Sequence, residues 1–374
     1  MKKFSIILLA LAFGLVMTVP ALAIHIGDER DPQGALGITG QYVLDGEKVD
    51  YDGDEAAWYD NDVDVNFTWN MGDVTVRWRA ELDDTEGLEG AKNNAGIIDD
   101  LWVMYKASDA LSFKFGEYFI GSSAVADDTT GGFNIQVMYG LDAVDLSLAI
   151  AKLDEDGASS SADADGDEDV ERYVLGASFK EAGPMTKLNL TYVMEDDQVN
   201  EEGPSFMLLE AGLPIGPVSL GLEYGSFGGT DSGGADAEGN YMIFDIGLEE
   251  LVGFDLGINY FVASDDLFGD WEEDYAPFQI IQDEVVIDSE TSRDMTTIAL
   301  TGSYGVNDNL KISAAYIMAE TTEDGDEIGS EIDVVANYKI ADNVTYKAAI
   351  GSFSDGDLGF GDITKYFNRL TFTF

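Results

Sequence analysis

The sequence predicts an all-β protein: a transmembrane antiparallel β-barrel of about eighteen strands, or sixteen if one weak hairpin is merged. Three observations predict it. Segments of mostly 8–11 residues carry large apolar side chains at every second position, near the length of a tilted strand that crosses a membrane. The connections between them alternate strictly between short and long. The face opposite the apolar one carries many charged side chains, which a dry core cannot hold and a water-filled lumen can.

The chain begins with Lys2 and Lys3, an apolar run Phe4–Val19, then Pro20 and Ala21-Leu22-Ala23. This reads as a secretory signal peptide, residues 1–23, cleaved after Ala23. Residues 24–374 are then expected to form one barrel. No other stretch reaches the apolar length of a membrane helix.

The first strand expected is Leu36–Leu44. Asp62–Asn70 follows, with Val63, Val65, Phe67 and Trp69 on one face, and turns at Met71-Gly72-Asp73 into Val74–Leu82. There Val74, Val76 and Trp78 oppose Thr75, Arg77, Arg79 and Glu81. The rhythm continues through Ile97–Lys106 with Leu111–Ile120, Phe133–Tyr139 with Val144–Ile150, and Arg172–Lys180 with Lys187–Met194. Phe206–Leu213 with Val218–Ser226, Tyr241–Glu249 with Phe254–Val262, Thr296–Gly305 with Leu310–Met318, and Ile332–Ile340 with Val344–Phe353 complete eight hairpins. The last strand is Tyr366–Phe374, with Leu370, Phe372 and Phe374 on one face. In a soluble sheet it would be a sticky edge; in a closed barrel it pairs with Leu36–Leu44. Long connections are expected at Asp45–Asn61, Asp83–Gly96, Gly121–Gly132, Asp154–Glu171, Glu195–Ser205, Phe227–Asn240, Ala263–Met295, Ala319–Glu331 and Ser354–Lys365.

The net charge is −54 and there is no cysteine. Export without cysteine suits a bacterial envelope protein that does not rely on disulfides. So acidic a surface repels nucleic acid. The acid is concentrated in the long connections: Asp154–Asp169 holds eight acidic side chains and no basic one.

Enzyme chemistry is not expected. The only histidine, His25, lies outside the strands, and there is no thiol nucleophile. No cofactor is expected. Asp163, Asp165, Asp167 and Asp169 suit weak binding of a hard divalent cation, but the glycine spacing is not that of a calcium loop, so no dedicated metal site is read there.

The lumen-parity charges are Arg77, Arg79, Lys106, Lys114, Arg172, Lys180, Lys187, Lys311, Lys339, Lys347 and Arg369, with Asp62, Asp64, Glu81, Asp100, Asp145, Glu223, Asp245, Asp255 and Asp333 among them. They line a pore, brace its wall as cross-strand ion pairs, or both.

The signal peptide, the hairpin rhythm, the mixed-charge inner face and a terminal strand with Phe372 and Phe374 as assembly signal together resemble the porins of the Gram-negative outer membrane, especially the homotrimeric general porins. The resemblance implies an outer-membrane location. The partners to expect are lipid and lipopolysaccharide, the barrel assembly machinery, two further copies of the chain, and small hydrophilic solutes and ions. It also implies that the loop Gly121–Gly132 enters the barrel. Its Asp127 and Asp128 would then face Arg77 and Arg79, with Lys114 nearby, across a constriction. Asp62, Asp64, Glu81, Asp100 and Arg172 would line the pore. The expected function is passive diffusion of small hydrophilic solutes with cation preference. The alternatives are a substrate-selective eighteen-stranded channel and a structural or adhesive surface barrel that presents acidic, metal-binding loops.

Overall fold

The computed structural model describes residues 24–26, 35–51, 54–83, 100–118, 133–152, 170–180, 183–197, 205–229, 239–251, 253–263, 295–322, 325–356, 359 and 361–374. The strands are β1 (Ile24–Ile26), β2 (Ala35–Tyr51), β3 (Asp54–Met71), β4 (Val74–Asp83), β5 (Asp100–Lys106), β6 (Leu111–Glu117), β7 (Phe133–Gly140), β8 (Val144–Lys152), β9 (Val170–Phe179) and β10 (Lys187–Asp197). There follow β11 (Ser205–Ile215), β12 (Val218–Gly228), β13 (Gly239–Leu251), β14 (Phe254–Ala263), β15 (Thr296–Asn307), β16 (Leu310–Glu320), β17 (Glu327–Ala341), β18 (Val344–Asp355) and β19 (Ile363–Thr373).

From β2 onward each strand pairs antiparallel with the next, and β19 closes on β2 in a register from Ile363↔Tyr51 to Thr373↔Gln41. The result is a closed ring of eighteen strands, the count expected, with β1 as an addition. Closure follows from the medium: in lipid every backbone polar group needs an internal partner, so a spanning sheet can leave no edge.

Two-residue turns such as Gly72-Asp73 and Gly216-Pro217 join strands at one rim. Gly72 and Gly216 both sit at φ +62°, a conformation glycine reaches without strain. The long connections leave from the opposite rim.

Alternation sorts the side chains as expected. On β8, Leu146, Leu148 and Ile150 point outward and are exposed, while Ala149 and Ala151 on the other parity are buried inside. The outer face is mostly apolar and is ringed near the short-turn rim by aromatics. Phe67 stacks on Trp78 (4.9 Å between centroids) and Phe254 on Tyr304 (4.6 Å), with Trp69, Tyr105, Tyr139, Tyr338 and Tyr346 exposed in the same belt. An apolar band edged by aromatics is what a lipid-facing barrel wall requires.

Several expected connections are shorter than the sequence suggests, three of them as follows. Asp45–Asn61 is almost wholly strand: the β2–β3 ladder runs unbroken from Ala35↔Asn70 to Tyr51↔Asp54. Its inner-face acids are matched by cations on β19: Asp45 by Arg369 and Glu47 by Lys365. Likewise β16 and β17 reach Glu320 and Glu327, and β18 and β19 reach Asp355 and Ile363, into segments expected to be loop. The signal peptide, the loop with Asp127 and Asp128, and the acidic segment Asp154–Asp169 lie outside the described residues.

Candidate pore wall

The inner face has two zones. Toward the short-turn rim it is mostly polar, with Met104 and Met138 among the exceptions. Lys180 pairs with Asp145 (2.6 Å), Lys187 with Glu210, and Lys311 with Asp255 (3.5 Å). Arg369 grips Asp45 through Nε (2.9 and 3.0 Å) and Nη2 (2.6 Å). These pairs are about half exposed on the cationic side, so each contributes little stability. Together they brace neighbouring strands and keep the wall wettable. In the turns, Lys106 and Lys339 hold the carboxyls of Asp109 and Asp342 below their usual range through a hydrogen bond and nearby positive charge.

Toward the long-loop rim the wall divides by sector. From β8 round to β19 the inner residues are mostly apolar and buried, among them Val174, Leu208, Ile243, Ile317, Phe353 and Ile363. Buried polar groups in this sector include Glu331 and Asp333 on β17, and Lys365, which bonds Glu47 at 2.8 Å. From β3 to β7 the described wall at the same level is more polar, with Asp64, Arg79, Lys114 and Asn134 beside the rings of Trp102 and Tyr118.

That polar sector gathers most of the sequence-predicted site. Arg79 donates Nε and Nη2 to Asp64 Oδ1 (3.3 and 3.1 Å), and Gln41 Nε2 donates to Asp64 Oδ2 (2.7 Å). Asp64 is only 5% exposed, and these bonds meet the need of a carboxylate removed from water. Arg77 donates Nε and Nη2 to the Asn66 carboxamide oxygen (3.3 and 2.7 Å). The Lys114 ammonium lies over two rings, 3.4 Å from the centroid of Tyr118 and 4.6 Å from that of Trp102, a cation–π arrangement. Asn134 Nδ2 donates to the Tyr118 carbonyl, while the buried Tyr118 hydroxyl has no hydrogen-bond partner among the described residues. Backbone register places Glu81 opposite Asp64, Asp100 opposite Arg79, Asp62 opposite Val43, and Arg172 opposite Ala151. Arg172 therefore stands four strands away from Trp102, apart from the Arg77–Lys114 group.

Sequence reasoning missed the buried apolar belt. Its signal is present: Phe206-Met207-Leu208-Leu209 and Ala314–Ala319 are apolar on both parities, which marks strand ends covered on the inside as well as outside. Among the described residues no cluster of His, Asp and Glu has the grouping of a metal site.

A closed barrel with a lipid-ready outer face and a charged, partly wetted inner face defines a channel of the outer membrane. The Gram-negative porin family model matches residues 93–358, and the chain belongs to that family. Solved structures that share the fold include the Pseudomonas aeruginosa channel OccK8 (OprE), at 16% identity and TM-score 0.61 over 91% of this chain and 98% of that one. OccK5 (OpdH) of the same organism aligns at 14% identity and TM-score 0.62 over 90% and 97%. OccD3 (OpdP) aligns at 14% and 0.59 over 96% and 97%. No curated protein matches the chain.

Proposed function

We propose that the barrel is a passive channel for small hydrophilic solutes with a preference for cations. The observation that carries the reading is the division of the inner wall. Among the described residues the β3–β7 sector carries the most polar wall at the long-loop level, so solutes pass along Arg77, Arg79, Lys114 and their partners. The acidic connections at the long-loop rim supply the cation preference, because closely spaced carboxylates enrich cations within a Debye length of about 8–10 Å at physiological salt. The wall cations oppose that preference locally. Asp127 and Asp128 face them across the narrowest point in this reading, and the assembly is a homotrimer. In a planar bilayer, purified protein should give discrete conductance steps and a cation-directed reversal potential in a salt gradient. A protein that inserts without conducting would instead be a surface anchor.

A second reading, a substrate-selective channel, is favoured by one observation. The Lys114 ammonium is held between two aromatic faces beside the orphan hydroxyl of Tyr118. Oriented donors beside flat apolar surfaces are the components of a solute-binding subsite. Saturation of solute flux, lost in Tyr118→Phe, would support this reading over simple diffusion.

A further inference from the structure

The inner wall holds a hollow on β7 to β11, at the short-turn level. Its volume is about 430 Å³, within the roughly 300–1,000 Å³ of small-molecule sites. Register builds it from two rows of inward residues. In the first, Asp145 stands opposite Ser178, Ser178 opposite Asn189, and Asn189 opposite Glu210. One step toward the long-loop rim, Met138 stands opposite Ser147, Ser147 opposite Gly176, and Gly176 opposite Thr191. The next row runs from Gln136, which also lines the hollow, through Ala149 and Val174 to Val193. Those last three are buried, so the apolar belt forms a ledge directly above. Glycine gives the hollow its floor. A Cβ on Gly176 would stand 2.4 Å from Ser147 Oγ, so the serine hydroxyl uses the space over the bare backbone of β9.

The charges at the lower edge are already engaged with one another. Lys180 Nζ lies 2.6 Å from Asp145 Oδ1 and donates to the Leu141 carbonyl at 3.1 Å. Glu210 takes Lys187 on one carboxylate oxygen and Asn189 Nδ2 on the other, the latter at 2.9 Å. Two ammonium groups against two carboxylates leave no net charge. An ionic solute would have to open one of these pairs or give up its hydration without a counter-charge, which is costly. Gln136, Ser147, Ser178 and Thr191 bring an amide and three hydroxyls instead, each able both to donate and to accept.

We infer that this hollow is a binding subsite for a neutral polyhydroxylated solute, a sugar or a polyol, resting on the channel reading given above. Each hydroxyl of such a solute donates and accepts, as the lining does. Its C–H face has Met138 and the apolar ledge to pack on. The subsite stands on the short-turn side of the belt, so a solute that has passed the polar sector meets it before leaving the barrel.

Single-channel recording of the purified protein in KCl, with glucose added to both chambers, tests this. Glucose should lower the current along a saturating curve. Gluconate, an anion of similar size, should give no saturating block at the same ionic strength. Ser178→Ala combined with Thr191→Val removes two hydroxyls at nearly constant shape, and should raise the half-blocking glucose concentration at least fivefold. Gly176→Ala removes no polar group but fills the floor and displaces Ser147 Oγ, and should do the same. Ser313→Ala, which removes a hydroxyl from the inner face of β16 outside the hollow, should leave the half-blocking concentration where it was. A current that falls only linearly with glucose, or a saturating block unaltered in both variants, would overturn the subsite while the channel reading stands. Equal block by gluconate would overturn its preference for neutral solutes. A barrel that inserts and carries no KCl current would overturn the channel reading, and the subsite with it.

Discussion

Two glycines three residues apart on β2 give the sharpest test of the seam. A Cβ built on Gly40 would lie 2.6 Å from Phe374 Cζ and 2.9 Å from Cε2, and closer still to the backbone carbonyl of Asp64. The ring of Phe374 rests on the bare backbone of Gly40, and the carbonyl belongs to the paired strand, so neither gives way without a shift of register. The cost of such overpacking is about 1–3 kcal/mol. A Cβ on Gly37 would meet nothing nearer than the Thr68 carbonyl at 3.8 Å. There alanine removes the entropy penalty of a glycine within a strand, worth roughly 0.5–1 kcal/mol. Gly40→Ala should therefore lower the urea midpoint of the folded barrel, and Gly37→Ala should leave it unchanged or raise it. The assay is the loss of the compact, heat-modifiable band on unboiled gels as urea rises. Adding Phe374→Ala to Gly40→Ala should cost less than the sum of the single changes, because the ring is part of the obstacle. Equal shifts for the two alanine variants, or strict additivity in the double variant, would refute the close-approach argument.

The two faces of β4 should respond oppositely to charge. Val76→Arg should destabilise by about 2–4 kcal/mol near the bilayer midplane, with Phe113→Arg on β6 alike, whereas Thr75→Arg on the inner face should be tolerated. Equilibrium unfolding in lipid vesicles distinguishes them. Arg77→Ala with Arg79→Ala should raise cation selectivity and conductance, and Asp127→Asn with Asp128→Asn should lower cation selectivity, both read from reversal potentials. Asp64→Asn should weaken the grip on Arg79 and shift selectivity toward anions, measured in the same way. Native mass spectrometry should show a trimer. The small outward residues Ala314, Ala336 and Ala348 offer close approach to a second copy, and Ala336→Trp should then dissociate it. Gly40, small for the same apparent reason, is accounted for by Phe374.

Alternation made most of the barrel legible. Each strand expected from the sequence is present, because lipid on one side and water on the other impose a period of two that needs no distant information. Asp45–Asn61 failed for the opposite reason. Its acids fall on both parities, and the partners that allow a strand there, Arg369 and Lys365, sit more than 300 residues away on β19. The same limit applies to the pore wall. Parity placed Arg77, Arg79, Lys114 and Asp64 on the inner face, but not the partners they take. Arg79 closes on Asp64 and Arg77 on Asn66, each two residues along β3 from the partner that the β3–β4 register puts directly opposite. The inward apolar belt from β8 to β19 could be read only by noticing where period two gives way to apolar runs.

In the proposed channel, solutes and ions cross along the β3–β7 wall. Cysteine accessibility under current tests it most directly in this cysteine-free chain. Single cysteines at Asn66 and Thr75 on the polar sector, and at Ala299 and Ile317 on the apolar belt, are exposed to a charged methanethiosulfonate reagent while single-channel conductance is recorded. A stepwise fall in conductance is expected for the first two and none for the last two. Conductance steps at Ala299 and Ile317, with none at Asn66 and Thr75, would contradict it.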